Sequence, residues 1–167
     1  MAFADDLLAQ AATLATVDIG IPSQANLRRS ISSAYYAMFH MLIADAVVLL
    51  VPPQPAGLRA RASRSFSHGE MKQVCSRFLA KRFGVDLAPL LGQNISLELF
   101  FVAEAFGDLQ EERHSADYDV GRSYSRSDAL SAVNQARVGF FNWNRIRSTD
   151  EANVFLTALA FGVRWAK

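Results

Sequence analysis

The sequence of 167 residues is poor in metal- and disulfide-forming residues, with one cysteine and three histidines. A single thiol, Cys75, cannot form an intramolecular disulfide, and the few histidines argue against a structural zinc site. The sequence therefore predicts no disulfide framework, no metal site and no cofactor. A reducing cytoplasm fits this composition best.

An excess of charge of either sign is also missing, since 17 Lys and Arg residues stand against 16 Asp and Glu residues. No overall field draws the protein to nucleic acid or to an anionic membrane, so any polyanion site must be local. The amino-terminal residues are acidic where a secretory signal needs basic ones, and export is not expected. The longest apolar run, 35–51, carries His40 and Asp45 and stops at Pro52, short of the roughly 20 residues that span a bilayer, which predicts a buried helix.

Strand patterns are absent, because no segment shows the strict alternation and the β-branched enrichment of strands, and no repeat of fixed period occurs. Apolar residues recur instead at helical spacing. The length is near that of one domain, and 51% hydrophobic residues are enough for a sizeable core. We therefore expect a single all-α domain over residues 1–167, folded as a bundle of about five to six helices.

The first three helices have recognisable ends. The first is predicted to end near Gly20, and Ser23 is predicted as the N-cap of a long second helix. One face of that helix is apolar and contains Leu27, Ile31, Ala34, Met38, Leu42 and Leu49. The arginine-rich stretch Leu58 to Ser67 has no apolar period, which predicts a mobile loop. A third helix is expected from His68 to Phe83, with Gly84 in the C-cap position.

The later helices have the clearest apolar patterns. Apolar residues alternate four and three apart in the fourth helix, at Ile95, Leu99, Val102, Phe106 and Leu109. The segment Arg113 to Ser127 contains Gly121 and no such period, which predicts a loop. Asp128 is expected to open the fifth helix, because the helix dipole favours an anion in the first turn. The apolar face of the fifth helix contains Ala129, Val133, Ala136, Phe140 and Trp143. The last helix is expected from Thr149 to Trp165.

A polar stripe on the second helix is the first candidate for a functional site. Arg29, Ser33, Tyr36 and His40 are spaced four, three and four residues apart, so their side chains project from one side of the helix. The structural interpretation is that they form hydrogen bonds to neighbouring helices or to a dimer partner. The functional interpretation is that they contact a substrate.

The second candidate is the segment 111–119, which combines acids, an arginine, an imidazole and a phenol. The guanidinium of Arg113 can hold a phosphoryl oxygen, and His114 can move protons near neutral pH. Metal-free cleavage of a phosphodiester requires these two functions. The structural alternative is an ion pair between Arg113 and Asp117 that fixes the loop, with Tyr118 packed inward.

Three motifs follow one another along the chain: Ser33 to His40 in an early helix, then Ser67 to Gly69, then Arg113 with Ala116-Asp117-Tyr118 after a later helix. Their order resembles that of bacterial and archaeal HEPN proteins (higher eukaryotes and prokaryotes nucleotide-binding). The resemblance covers about residues 27–147. It implies a helical bundle that dimerises and places the arginine loops of two subunits in a shared cleft. Many members are metal-independent endoribonucleases, often the toxin encoded beside a minimal nucleotidyltransferase antitoxin.

The chain departs from this family at the catalytic motif, which in active relatives is an arginine, four to six residues and then a histidine. Counted from Arg113, the residue after four intervening ones is Tyr118, and no histidine follows His114. Arg61 and His68 have six residues between them, but they precede the third helix, and we interpret that spacing as chance.

Two functions are therefore expected as alternatives. The first is an RNA-targeting, ribonuclease-like component of a toxin–antitoxin or defence pair, which forms a homodimer. Its predicted catalytic residues are Arg113, His114 and His40, and its predicted substrate-binding residues are Tyr36, Asp117, Tyr118 and Arg29. The second is a non-catalytic dimeric module that binds a nucleotide or another protein and has a degenerate catalytic motif.

Overall fold

A computed structural model of the protein describes residues 2–83, 87–92 and 94–162, and helices are the only regular secondary structure in these ranges. The elements are α1 (Ala2–Thr16), α2 (Gln24–Leu50), α3 (Leu58–Ser63), α4 (His68–Leu79), α5 (Ala88–Leu91), α6 (Leu97–Tyr118), α7 (Arg126–Ile146) and α8 (Asp150–Phe161). Within the described residues, six of these helices have 12 residues or more and form the bundle, while α3 and α5 are short. The predicted all-α bundle is confirmed.

Helix α2 is the central helix of the bundle and packs against α1, α6, α7 and α8. Its predicted apolar face is buried as far as Leu42. Leu49 is 42% exposed, and its neighbour Val48 is also exposed, so the last turn of α2 extends past the packed helices. By length and composition α2 could cross a membrane, but 56% of its most apolar window is buried inside the bundle. The prediction of a buried helix over 35–51 is therefore confirmed except for its last turn.

Serine and threonine side chains cap the N-terminal ends of α2, α4, α6, α7 and α8. Ser23, as predicted, accepts a hydrogen bond from the third backbone N–H of its helix, and Ser67, Ser96 and Thr149 cap α4, α6 and α8 in the same way. Helix α7 has a full capping box, in which the Asp128 carboxylate also bonds the backbone N–H of the cap residue. Asp128 therefore acts in the first turn of α7 as predicted.

The first predicted loop, Leu58 to Ser67, is partly wrong, because its first six residues form helix α3. Arg59 fastens this short helix to the end of α2, since its Nε donates a hydrogen bond to the carbonyl of Val51 at 2.9 Å. Apolar spacing could not predict α3, because the helix is held by this bond and has no fully buried residue.

The second predicted loop, Arg113 to Ser127, is wrong over its first six residues, because α6 continues to Tyr118. Arg113 and Asp117 lie one turn apart and form an ion pair, and Ala116 between them is buried. The connection between α6 and α7 is therefore the shorter segment 119–125. Arg113 lies on a helix and not on a loop.

The segment 119–125 is fastened to the first turns of α2. Arg28 donates hydrogen bonds to the carbonyls of Ala116 at 2.6 Å and Asp119 at 2.9 Å, and to that of Arg122. Gln24 pairs with the backbone of Tyr124 in both directions, at 2.7 and 2.8 Å. These bonds fix the position of the end of α6 relative to α2.

The crossing of α2 and α7 combines close packing with a polar contact. Gly139 lies against Met38, and a Cβ atom at Gly139 would approach the Met38 sulfur to 2.5 Å. Near the other end of the crossing, the Asp45 carboxylate accepts hydrogen bonds from Trp143 Nε1 at 2.7 Å and from Arg147 Nη2 at 2.6 Å.

One predicted helix end is wrong, and a second cannot be compared with the structure. Helix α4 ends at Leu79, before the expected Phe83, and the predicted C-cap Gly84 lies outside the described residues. Helix α8 is described to Phe161, and its predicted end at Trp165 also lies outside them.

Candidate functional site

Arg113 of α6 lies at the centre of a cluster of aromatic and titratable side chains. Its Nη2 donates a hydrogen bond to the hydroxyl of Tyr36 on α2 at 2.8 Å. The guanidinium carbon lies 5.3 Å from the ring centroid of Tyr36 and 5.8 Å from that of Tyr35, both within the range of cation–π attraction. The Arg113 side chain is only 15% exposed, so its orientation is fixed by its neighbours.

Asp117, one turn later on α6, is the second partner of Arg113. Its Oδ2 lies 2.7 Å from Arg113 Nε, although the N–H does not point at the oxygen, so the contact is an ion pair without a hydrogen bond. Burial would lower the pKa of Arg113, but the Tyr36 hydrogen bond and the charge of Asp117 raise that pKa above its ordinary value. Arg113 is therefore a permanent cation, and its Nη1 makes no hydrogen bond with the described residues.

Two grooves lie near Arg113, which lines one of them and contacts Tyr36 and Asp117 of the other. The first, here the Arg29 groove, has a volume of about 420 Å³ and is lined by Arg28, Arg29, Ser32, Ser33, Tyr36, Ala116 and Asp117. The second, here the Lys72 groove, has a volume of about 400 Å³ and is lined by Lys72, Gln110, Glu111, Arg113 and His114. The lining of each groove carries two cationic side chains and one carboxylate, a net formal charge of +1 with neutral histidine. Both grooves therefore carry a small local excess of positive charge.

The Arg29 groove brings together three of the predicted substrate-binding residues, Arg29, Tyr36 and Asp117. Arg29 is exposed and makes no hydrogen bond or ion pair with the residues that the structure describes, whereas its neighbour Arg28 is engaged by backbone carbonyls. Asp117 accepts a hydrogen bond from Ser32 Oγ at 2.6 Å, which adds a further contact between α6 and α2. The two adjacent arginines thus have different environments, and Arg29 is the one whose donors are open to a ligand.

The Lys72 groove contains the predicted residue His114, which is exposed beside Arg113. The His114 ring lies 5.0 Å from that of Tyr118, the remaining predicted substrate-binding residue. Tyr118 is 64% exposed, so the expectation that it packs inward is wrong, while the ion pair of Arg113 with Asp117 from the same structural alternative is present. Tyr118 faces outward because it is the last residue of α6.

His40, the third predicted catalytic residue, lies one turn after Tyr36 on α2. It is not among the residues that line the two grooves. Its ring packs 4.9 Å from Phe3 and 6.3 Å from Tyr36. Burial lowers the pKa of His40, so its imidazole is neutral at pH 7. The predicted stripe on α2 is therefore divided: Arg29, Ser33 and Tyr36 face the groove, and His40 supports the aromatic cluster.

Sequence reasoning missed His68 as a site residue. His68 is the first residue of α4, and its Nδ1 lies 2.6 Å from the hydroxyl of Tyr35. Its ring stacks on Phe39 at 4.0 Å between centroids. The pKa of His68 is lowered by burial and by the charge of Arg113. In the sequence His68 stood out only within the motif Ser67 to Gly69 and in its spacing from Arg61, and neither pattern shows that the first turn of α4 meets the middle of α2.

The arrangement supplies two kinds of chemistry. A guanidinium held by Tyr36 and Asp117 has N–H donors left for an oxyanion, and neutral imidazoles nearby can accept or donate protons. In the part of the chain that the structure describes, no group of three or more His, Cys, Asp or Glu side chains is placed to hold a metal ion.

Comparisons of the chain with models of protein families, with curated proteins and with solved structures gave no match.

Proposed function

We propose that the protein is a HEPN-like, RNA-targeting protein that binds an RNA phosphate at Arg113 and cleaves the adjacent phosphodiester bond without a metal ion. The observation that carries the proposal is the fixed guanidinium of Arg113, whose Nη1 makes no hydrogen bond with the described residues. Arg113 lines the Lys72 groove and contacts Tyr36 and Asp117 of the Arg29 groove, and both grooves have a net positive charge. A single-stranded RNA could occupy both grooves, with the phosphate between two nucleotides at Arg113. Arginine suits this role because its planar fork matches phosphate geometry.

The proposed cleavage is an attack of the ribose 2′-hydroxyl on the adjacent phosphorus, which forms a 2′,3′-cyclic phosphate and releases the 5′-hydroxyl of the next nucleotide. The proton of the 2′-hydroxyl must be accepted by a base, and the leaving 5′-oxygen must receive one. His114 is placed for proton transfer because it lines the same groove as Arg113. Arg113 stabilises the negative charge that develops on the phosphate oxygens.

A homodimer with a shared cleft is part of this proposal. Tyr118 and Val120 follow Arg113 in the chain and are 64% and 93% exposed. Their apolar surface is suited to contact a second subunit. Light scattering should report about twice the chain mass of 18.4 kDa. A monomer at tens of micromolar would contradict the shared cleft.

The pairing with a nucleotidyltransferase antitoxin is proposed on the resemblance alone, and the neighbouring gene tests it.

The alternative function is a non-catalytic dimeric module, and one feature of the chain favours it. Tyr118 stands where active relatives carry the histidine of the catalytic motif, and a phenol exchanges protons poorly near neutral pH. In this alternative Arg113 binds a nucleotide phosphate or stabilises the end of α6, and no bond is broken.

The purified protein should cleave a mixed pool of single-stranded RNA equally well with and without EDTA, because the proposed chemistry uses only side chains. The products should end in a 2′,3′-cyclic phosphate, which mass spectrometry identifies. A 2′-O-methyl RNA of the same sequences should bind but stay intact, since it lacks the attacking hydroxyl. Binding of both RNAs without cleavage would support the non-catalytic module, and the absence of any binding would refute RNA as the ligand of this site.

A further inference from the structure

The hydrogen bond between Tyr35 and His68 determines which nitrogen of the imidazole carries the proton. Tyr35 has no exposed surface, and its hydroxyl has His68 Nδ1, at 2.6 Å, as its single hydrogen-bond partner among the described residues. A buried hydroxyl must donate its proton to an acceptor, so Tyr35 donates and Nδ1 accepts. Burial also raises the pKa of Tyr35, which keeps the phenol protonated. In the neutral imidazole of His68 the proton is therefore on Nε2.

His68 does not itself line the Lys72 groove, but it lies beside the groove on the helix that carries Lys72. Lys72, one turn later on α4, is on the same side of the helix as His68 and lines the groove. Across the groove, Gln110 of α6 donates a hydrogen bond from Nε2 to the His68 carbonyl at 3.1 Å. Gln110 also lines the groove, and Arg113 follows it by one turn. These contacts place the first turn of α4 beside the part of α6 that carries Arg113.

Aromatic rings hold the His68 imidazole in one orientation. Phe39 stacks against one face at 4.0 Å, and the ring of Tyr36 meets it edge-on at 5.9 Å. With Nδ1 bonded to Tyr35, the remaining polar atom of the ring is Nε2, and no described residue forms a hydrogen bond with it. A partly buried N–H without a partner is suited to a ligand oxygen.

The charges around His68 favour a neutral donor. The charge of Arg113 and the neighbouring His40 both disfavour a positive charge on the ring, while Lys72, one turn later on α4, is paired with Glu111 at 2.9 Å. Burial and the charge of Arg113 lower the pKa of His68, so the ring adds a donor beside Arg113 without adding a second positive charge.

We propose that His68 is a further RNA-contacting residue of this site, which donates a hydrogen bond from Nε2–H to a phosphate oxygen next to Arg113 in the tautomer that Tyr35 fixes. The inference rests on the proposed function and extends it, because it assigns a second phosphate ligand on a different helix. It requires only hydrogen bonding, so it is independent of whether the RNA is cleaved.

Two conservative variants separate binding from structural support. His68→Gln places an amide N–H close to the position of Nε2, whereas His68→Asn places an amide oxygen close to Nδ1, where it can accept from Tyr35. The probe is a fluorescent 2′-O-methyl single-stranded RNA of mixed sequence, which the protein cannot cleave. His68→Asn is expected to weaken binding about tenfold, the usual size of a lost hydrogen bond to a charged group, while His68→Gln stays close to the wild type.

The opposite order, with His68→Asn binding as the wild type and His68→Gln weakened, would show that His68 only supports Tyr35 and would overturn the inference. Equal binding by both variants and the wild type would overturn it too. Loss of the proposed function is distinguishable, because the wild type itself would then fail to bind the probe. The ¹⁵N shifts of His68 give a test without RNA: at neutral pH they should report a protonated Nε2 and an unprotonated Nδ1, and the reverse pattern would refute the inference.

Discussion

Replacement of Arg113 with alanine is expected to lower the rate of RNA cleavage about 100-fold or more, because removal of one donor that stabilises transition-state charge has this effect in other enzymes. Arg113→Lys should retain part of the rate, since it keeps the charge but loses the planar fork that Tyr36 and Asp117 orient. Initial rates on a labelled single-stranded RNA measure both effects.

The matched control is Arg137→Ala. Arg137 is an exposed arginine of α7 whose hydrogen bond is to Asn134 on its own helix, so the variant removes the same charge at a residue that lines neither groove.

Arg113→Ala is also expected to lower the free energy of unfolding by about 1 kcal/mol, because the Tyr36 hydroxyl loses its donor. Cleavage by Arg113→Ala at the rate of the Arg137→Ala control would rule out Arg113 as a catalytic residue. A stability loss of several kcal/mol together with unchanged RNA binding would favour the structural role.

Replacement of Asp45 with alanine is expected to cause the largest loss of stability, about 3 kcal/mol in the free energy of unfolding. The variant leaves the fully buried indole of Trp143 without the acceptor of its N–H and Arg147 without the carboxylate at 2.6 Å. Asp45→Asn should lose less, because its amide oxygen can still accept from Trp143. Urea unfolding of the wild type and both variants gives the three free energies.

Glu98→Gln is the control for Asp45→Ala, since it breaks an ion pair with Arg145 whose arginine is largely exposed. An exposed pair contributes less than about 1 kcal/mol, and so this variant should unfold at nearly the same urea concentration as the wild type. Equal losses in the two variants would mean that burial does not determine the strength of the Asp45 contacts.

The fold could be predicted from the sequence because its signals are local. Apolar spacing in α2, α6 and α7 identified their buried faces, and Ser23 and Asp128 marked helix starts through hydrogen bonds within three residues. Helix α3 was missed because a single arginine contact holds it and no apolar face does. The end of α6 was missed because polar residues from Arg113 to Tyr118 continue the helix without an apolar period.

The site could be predicted only where its residues share a helix. Arg29 and Tyr36 were grouped because they lie on one side of α2, and Arg113 and Asp117 because they are close in sequence. His68 comes from a third helix, and its place beside Tyr35 depends on how α4 packs against α2 and α6. A contact between helices that are distant in the chain produces no regular spacing in the sequence. His68 was therefore not predicted as a site residue, although Tyr35 fixes its tautomer.

The polar contacts between α2 and α6 also determine when the site can first exist during synthesis. Tyr36 and Arg113 are 77 residues apart in the chain, and the Gln24 contact that fixes the end of α6 spans 100. A ribosome adds roughly 5–20 residues per second. Helix α2 is therefore synthesised several seconds before α6, which completes both grooves. A nascent chain that ends before α6 has one wall of the Arg29 groove and no Arg113. The contact between Tyr36 and Arg113 can therefore form only after α6 has been synthesised, and chains truncated before Arg113 lack it.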